Sequence, residues 1–235
     1  MNLTPLHSRL SAVRQFFRVR FPRFGSLRRV YPVSPSFGLG DGTPIDRYYI
    51  ERFLESRRDA IRGRVLEIGD SRYTNQFGSG VESSDVLHFV EGSPDATIIA
   101  DLSDCPSIRA NSFDCIIITQ TLHYIYDMET ALAEIHRILA PGGHVLCTVP
   151  GISQISRYDM DRWGDRWRLT SLSAAELFAR AFIPDQTSIV TYGNVFSSVC
   201  FLEGIVAEKL RQRELDSHDE DYQLLVAIDA MKTGQ

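Results

Sequence analysis

No run of about 18 apolar residues occurs in the chain, and its first residues carry no apolar stretch followed by small residues, so neither a spanning helix nor a secretory leader is expected. The expected location is the cytoplasm. Cysteines are few and never closely spaced: Cys105, Cys115, Cys147 and Cys200 read as buried reduced thiols, with no metal site and no disulfide framework. Internal repeats and low-complexity tracts are also missing. Acidic residues are absent from residues 1–40, which hold seven arginines, so the net charge of −5 leaves about −12 on the remainder. Phe16, Phe17, Val19 and Phe21 lie among those arginines. This arm is read either as mobile or as a surface for an anionic membrane, at its inner face, or an acidic partner. The acidic body argues against nucleic acid.

What is present is an ordinary globular composition, 43% hydrophobic and 23% charged, in 235 residues, enough for one domain with embellishments. Tyr31 to Gly42, dense in proline and glycine, reads as a linker, which divides the chain into an arm and linker (1–42) and a domain (43–235). Helical spacing of Ile45, Tyr49, Phe53 and Leu54 predicts a helix opened by Thr43, Pro44 and Asp46 and stopped by Gly63.

From Arg64 onward, apolar runs alternate with helical and loop segments. RVLEIG, SSDVLHFV, ATIIAD, FDCIIIT and GGHVLCTVP read as strands, followed later by TSIVTYGNV and QLLVAIDAMK. The first five are apolar on consecutive positions, as strands covered on both faces are. DMETALAEIHRILAPGG is a helix between the fourth and fifth strands, so the sheet is expected to be parallel with right-handed crossovers. A capping box of Ser173 and Glu176 is expected to open a helix; FSSVCFLEGIVAEKLR reads as an amphipathic helix and ELDSHDEDY as a loop.

In such a sheet, ligands bind beyond the carboxyl ends of the strands where strand order reverses. Glycine is scarce there: after VLEIG only Gly69 arrives before Gly78, and no G-x-G-x-x-G follows, which disfavours a dinucleotide site. The strand ends do carry Glu67, Asp70, Asp101, Thr119, Gln120 and His123.

The acidic-x-Gly first strand, ADLSD, and NSFDCIIITQTLHYIYDMETALAEIHRILAPGGHVLCTVPG together resemble class I methyltransferases that use S-adenosylmethionine, nearest to those called methyltransferase type 11. The resemblance spans about residues 61–150. It implies a Rossmann-like, doubly wound α/β fold with a mostly parallel seven-stranded sheet and an antiparallel last strand. The stretch GISQISRYDMDRWGDRWRLTS is similar to members found with polysaccharide and glycosyl-transfer systems.

Carried over residue by residue, the resemblance gives Glu67 and Gly69 to the methionine end of S-adenosylmethionine and Asp85 to the ribose, with Glu91 in reserve; Asp70, in the same loop as Gly69, is read as a further cofactor contact. It gives Asp101 and the Leu102 backbone to adenine, and Thr119 and Gln120 to the methionine portion. A hydroxyl acceptor needs a base near pKa 7, for which His123 is best placed. Arg157, Tyr158, Trp163 and Trp167 combine flat apolar faces with directional polar groups, as sugar recognition requires, and Tyr48 joins them if the first helix covers the site. The function expected is O-methylation of a sugar or glycan. The alternatives are a noncatalytic subunit of a glycan-assembly system, docked on a glycosyltransferase through the arm, and a small-molecule or lipid methyltransferase.

Overall fold

Seven strands form one sheet in the computed structural model, which describes residue 25 and residues 28–234. They are β1 (Gly63–Ile68), β2 (Val81–His88), β3 (Ile98–Ile99), β4 (Phe113–Thr119), β5 (Leu139–Pro150), β6 (Thr187–Tyr192) and β7 (Leu225–Met231). Their order is β3-β2-β1-β4-β5-β7-β6. Pairings from β3 through β5 are parallel, and β7 runs antiparallel to both β5 and β6. This is the expected doubly wound sheet. Strand order reverses between β1 and β4, which places the ligand crevice at their carboxyl ends.

The apolar runs follow from burial of both faces. Along β4, Ile116 and Ile118 join one core while Cys115 and Ile117 join the other. On β7, Val226, Ile228 and Ala230 face the first core, and Leu225 and Ala227 the second. Among the described residues, six helices cover these faces, α1 (Ile45–Ser56), α2 (Arg72–Phe77), α3 (Met128–Ile138), α5 (Ser171–Phe178), α6 (Val195–Leu202) and α7 (Gln212–Asp216), and the short α4 (Arg157–Met160) buries none of its residues. Ile45, Tyr49, Phe53 and Leu54 of α1 are buried at helical spacing, as expected. All four cysteines are buried free thiols.

Several boundaries differ from expectation. Helix α1 ends at Ser56, because a 3-10 turn over Arg58–Ala60 redirects the chain and Gly63, at φ 67°, already starts β1. Thr43 does not cap α1; its N–H donates instead to Glu208 at 3.0 Å. The capping box of α5 is Thr170 with Ser173, one turn before the expected pair. Gly204 breaks the expected long helix after α6, and part of ELDSHDEDY is helical in α7. The third strand is reduced to two residues.

The compact body begins at Val33, so residues 33–42, read as linker, belong to it. Ser34 N–H donates to the Glu203 carbonyl at 3.0 Å, the Phe37 ring lies 5.5 Å from that of Phe201, and Gln154 Nε2 donates to the Pro35 carbonyl at 3.0 Å. Phe37 holds a left-handed φ of 60° beside Gly38 at 83°. In the other unit, Met1–Pro32, Arg28 N–H donates to the Gly25 carbonyl at 3.4 Å. Arg9, Arg14, Arg18, Arg20 and Arg23, with the phenylalanines among them, lie outside the described residues.

Candidate active site

At the end of β1, Glu67 is 2% exposed. Its carboxylate accepts from Tyr73 N–H at 3.0 Å, Thr74 N–H at 2.7 Å and Thr74 Oγ1 at 2.7 Å. An anion at a helix N-terminus satisfies donors that have no partner within the helix. Glu67 thus folds the glycine-poor loop onto α2 and leaves little of itself for a ligand. Burial raises its carboxyl above the usual range, against the three donors that favour the ionised form. Asp70 is turned to its own loop, accepting from Arg72 N–H at 2.9 Å and pairing with the Arg72 guanidinium at 3.5 Å. Gly69 has φ 94°, and a Cβ built there would meet no atom within 4 Å, so its backbone is open to close approach.

Gly69 lies on the wall of a compartment of about 570 Å³. Asp101, Leu102 and Trp163 line it too, as do His88 and Phe89 from the end of β2. Asp101 accepts from Ser103 N–H at 2.8 Å through Oδ1, holding the carboxylate at the rim. Asp85 is elsewhere: it stands mid-strand opposite Leu66 and accepts from Thr97 Oγ1 at 2.8 Å. Glu91 lies exposed beyond β2 and does not line the compartment. The residue at the β2 terminus is His88, whose Nδ1 lies 3.2 Å from the Val90 carbonyl. A carbonyl only accepts, so Nδ1 carries a proton, and in the neutral ring Nε2 is an acceptor.

A second, smaller compartment of about 220 Å³ shares Tyr124 with the first. Thr119 and Gln120 form part of its wall, Gln120 with a left-handed φ of 46° and its N–H donated to the Thr148 carbonyl at 2.9 Å. Asp46 and Arg47 enter from α1, Tyr73 from α2, and Phe37 and Leu39 from the segment expected to be linker. The Tyr124 hydroxyl faces Asp159; burial first, and then that carboxylate, raise its pKa.

His123 also borders this compartment but is 3% exposed. Burial pushes its pKa down to about 3, with the Asp165 charge pulling weakly the other way. Its Nε2 lies 3.8 Å from Asp165 Oδ1, and its Nδ1 has no partner. Asp165 is held by Arg168 through bonds of 2.5 and 2.8 Å. A neutral imidazole so hard to protonate is not the base near pKa 7 that its sequence position suggested.

The expected acceptor residues are scattered. Trp163 lines the wide compartment, its ring 6.1 Å from Phe89. Trp167 anchors the loop, donating from Nε1 to the Ile125 carbonyl at 3.1 Å. Arg157 is on the surface, 3.7 Å from Asp161. Tyr158 stacks under Arg162 at 3.5 Å. Tyr48 bonds Asp216 at 2.9 Å, away from both compartments. Sequence reading missed His88, Asp46, Arg47, Tyr124 and the 33–42 segment as parts of the site. Only His88 had a legible signal, as the polar residue inside the apolar run VLHFV.

Residues 79–147 match a family described as a methyltransferase domain. The chain is 31% identical over 106 residues to the ubiquinone/menaquinone biosynthesis C-methyltransferase UbiE of Bradyrhizobium sp., a match covering 43% of this chain and 36% of that relative. Among solved structures it is similar to the N-methyltransferase NodS of Bradyrhizobium japonicum in complex with S-adenosylhomocysteine, with TM-score 0.52, 15% identity, and 86% and 94% of the two chains covered. It is also similar to the [4+2]-cyclase SpnF, with TM-score 0.52, 15% identity, and 94% and 96% covered. Domain match and topology agree: this chain has the Rossmann-like fold of the methyltransferases.

Proposed function

We propose that the protein is an S-adenosylmethionine-dependent methyltransferase acting on a hydroxyl of a sugar or glycan intermediate. The observation that carries this reading is the two-part cleft at the strand-order reversal, wide beside Gly69 and narrow and polar beyond Tyr124. The residues fit the cofactor. Gly69 leaves its backbone bare, Asp101 and Leu102 border the adenine end, and His88 Nε2 takes the place of an acid toward a ribose hydroxyl. Bound there, S-adenosylmethionine supplies a methyl group already activated on a sulfonium.

What remains for the protein is alignment of the acceptor and removal of a proton. Ser153, Gln154, Ser156 and Asp159 give the narrow compartment the donors and acceptors a polyol needs. With His123 buried and neutral, we assign the acceptor's proton to Asp159. The arginine-rich N-terminal residues are proposed to dock on a glycosyltransferase or an anionic membrane. Among the described residues, no helix is long and apolar enough to cross a membrane.

Calorimetry with S-adenosylhomocysteine tests the cofactor reading: binding is expected, and His88→Ala is expected to weaken it about 10-fold, the value of one hydrogen bond to a ligand hydroxyl. No binding at about 1 mM rejects it. Transfer of a labelled methyl group to nucleotide sugars, but not to a prenylated quinol, is the outcome expected for the acceptor; the reverse replaces the sugar by a lipid.

A second reading is a methyltransferase fold that has lost turnover. It is favoured by one observation, that Glu67 is occupied by α2. Cofactor binding without transfer to any acceptor would support it.

A further inference from the structure

The loop after β1 leaves the amino-acid end of the cofactor without its usual support. Glu67 is occupied by α2, Asp70 by Arg72, and Asp165 by Arg168. Helix α1 brings something else to the same compartment. Asp46 and Arg47 are consecutive in its first turn, and both stand on the wall that Tyr73, Thr119 and Gln120 complete.

Their bonding is unfinished. Arg47 makes no ion pair and no side-chain hydrogen bond with any described residue, whereas the other arginine of that wall, Arg168, is neutralised by Asp165. Asp46 has one bond, to the N–H of Arg47 at 2.8 Å through Oδ1. Burial raises its carboxyl above the usual range, with that N–H and the Arg47 charge pulling the other way. Arg47 also acts electrostatically on the Tyr73 hydroxyl, which burial lifts to about 12 and the guanidinium pulls down.

An adjacent anion and cation on one wall complement a ligand that carries both charges on neighbouring atoms. An α-amino acid group is such a ligand. Resting on the cofactor reading above, we propose that Asp46 and Arg47 hold the amino-acid end of S-adenosylmethionine, its carboxylate on Arg47 and its ammonium on Asp46. Helix α1 thus does, with side chains, what a glycine-rich loop does with backbone amides. The narrow compartment serves the amino-acid end as well as the acceptor, and the adenosine end lies with His88 and Asp101.

The test is calorimetry on the full chain with two probes, S-adenosylhomocysteine and 5′-methylthioadenosine, which lacks the amino-acid group. Wild type is expected to bind the first at least about 10-fold tighter, the usual value of charge-assisted hydrogen bonds. Arg47→Ala and Asp46→Asn are each expected to weaken S-adenosylhomocysteine about 10- to 100-fold while changing 5′-methylthioadenosine less than about 2-fold, with Arg47→Lys between. Equal wild-type affinity for both probes, unchanged S-adenosylhomocysteine binding in Arg47→Ala, or equal loss of both probes in both variants overturns the assignment but leaves the cofactor reading standing. If wild type binds neither probe, both fall together.

Discussion

At the scale of single residues, burial decides chemistry more than residue type does. His123 is 3% exposed and its pKa lies near 3, against about 6.5 for an exposed imidazole. Between those values the unfolded chain takes up a proton that the folded protein refuses. Its contribution to stability is therefore complete above about pH 6.5 and is lost progressively as pH falls toward 3. Urea denaturation of wild type and His123→Gln across this window is expected to show a wild-type slope steeper by up to about 1.4 kcal/mol per pH unit; parallel slopes would mean that the ring is accessible to protons. Which side chains reach the cleft was only partly legible in sequence. Asp101 and Gln120 were found because they follow apolar runs directly. Asp85 was misplaced because β2 runs three residues beyond it, to His88. Asp46 was read as part of a helix start and Arg47 was not singled out; the first helix was expected to reach the site through Tyr48, and no periodicity reveals that its first turn is the part that lines the cleft.

At the scale of elements, one carboxylate organises the loop that glycine does not. Glu67 gathers three donors from the start of α2, a helix of only six residues that lacks a side-chain cap of its own. Glu67→Ala strands buried donors and is expected to cost about 2–4 kcal/mol, read as a lower urea midpoint with little change in slope. A loss under about 0.5 kcal/mol would show that water serves those donors equally well. The strands themselves were legible because both faces are buried, which writes continuous apolar runs into β1, β4 and β5. Some helix ends were not, because local capping signals compete with tertiary partners. Thr43 had the right type to cap α1, and Glu208 took its N–H instead.

At the scale of the whole molecule, the body from Val33 is a compact unit and its cleft walls begin at Phe37. Removing residues 1–32 is expected to leave S-adenosylhomocysteine affinity within about 2-fold, while removing 1–42 strips Phe37 and Leu39 and is expected to lower both affinity and melting temperature. Equal behaviour of the two truncations, by calorimetry and thermal melting, would release the 33–42 segment from the site. Strand β7 has a different reach. It lies between β5 and β6, which do not touch, and it precedes neither of them in the chain. During synthesis, then, β5 leaves the ribosome with an open edge and β6 with no sheet to join. Both wait for residues 225–231 to slide between them, so while the stretch between Pro150 and Leu225 is being made the nascent chain carries an unsealed, sticky sheet edge, and any slowing of translation there lengthens its exposure to misassociation.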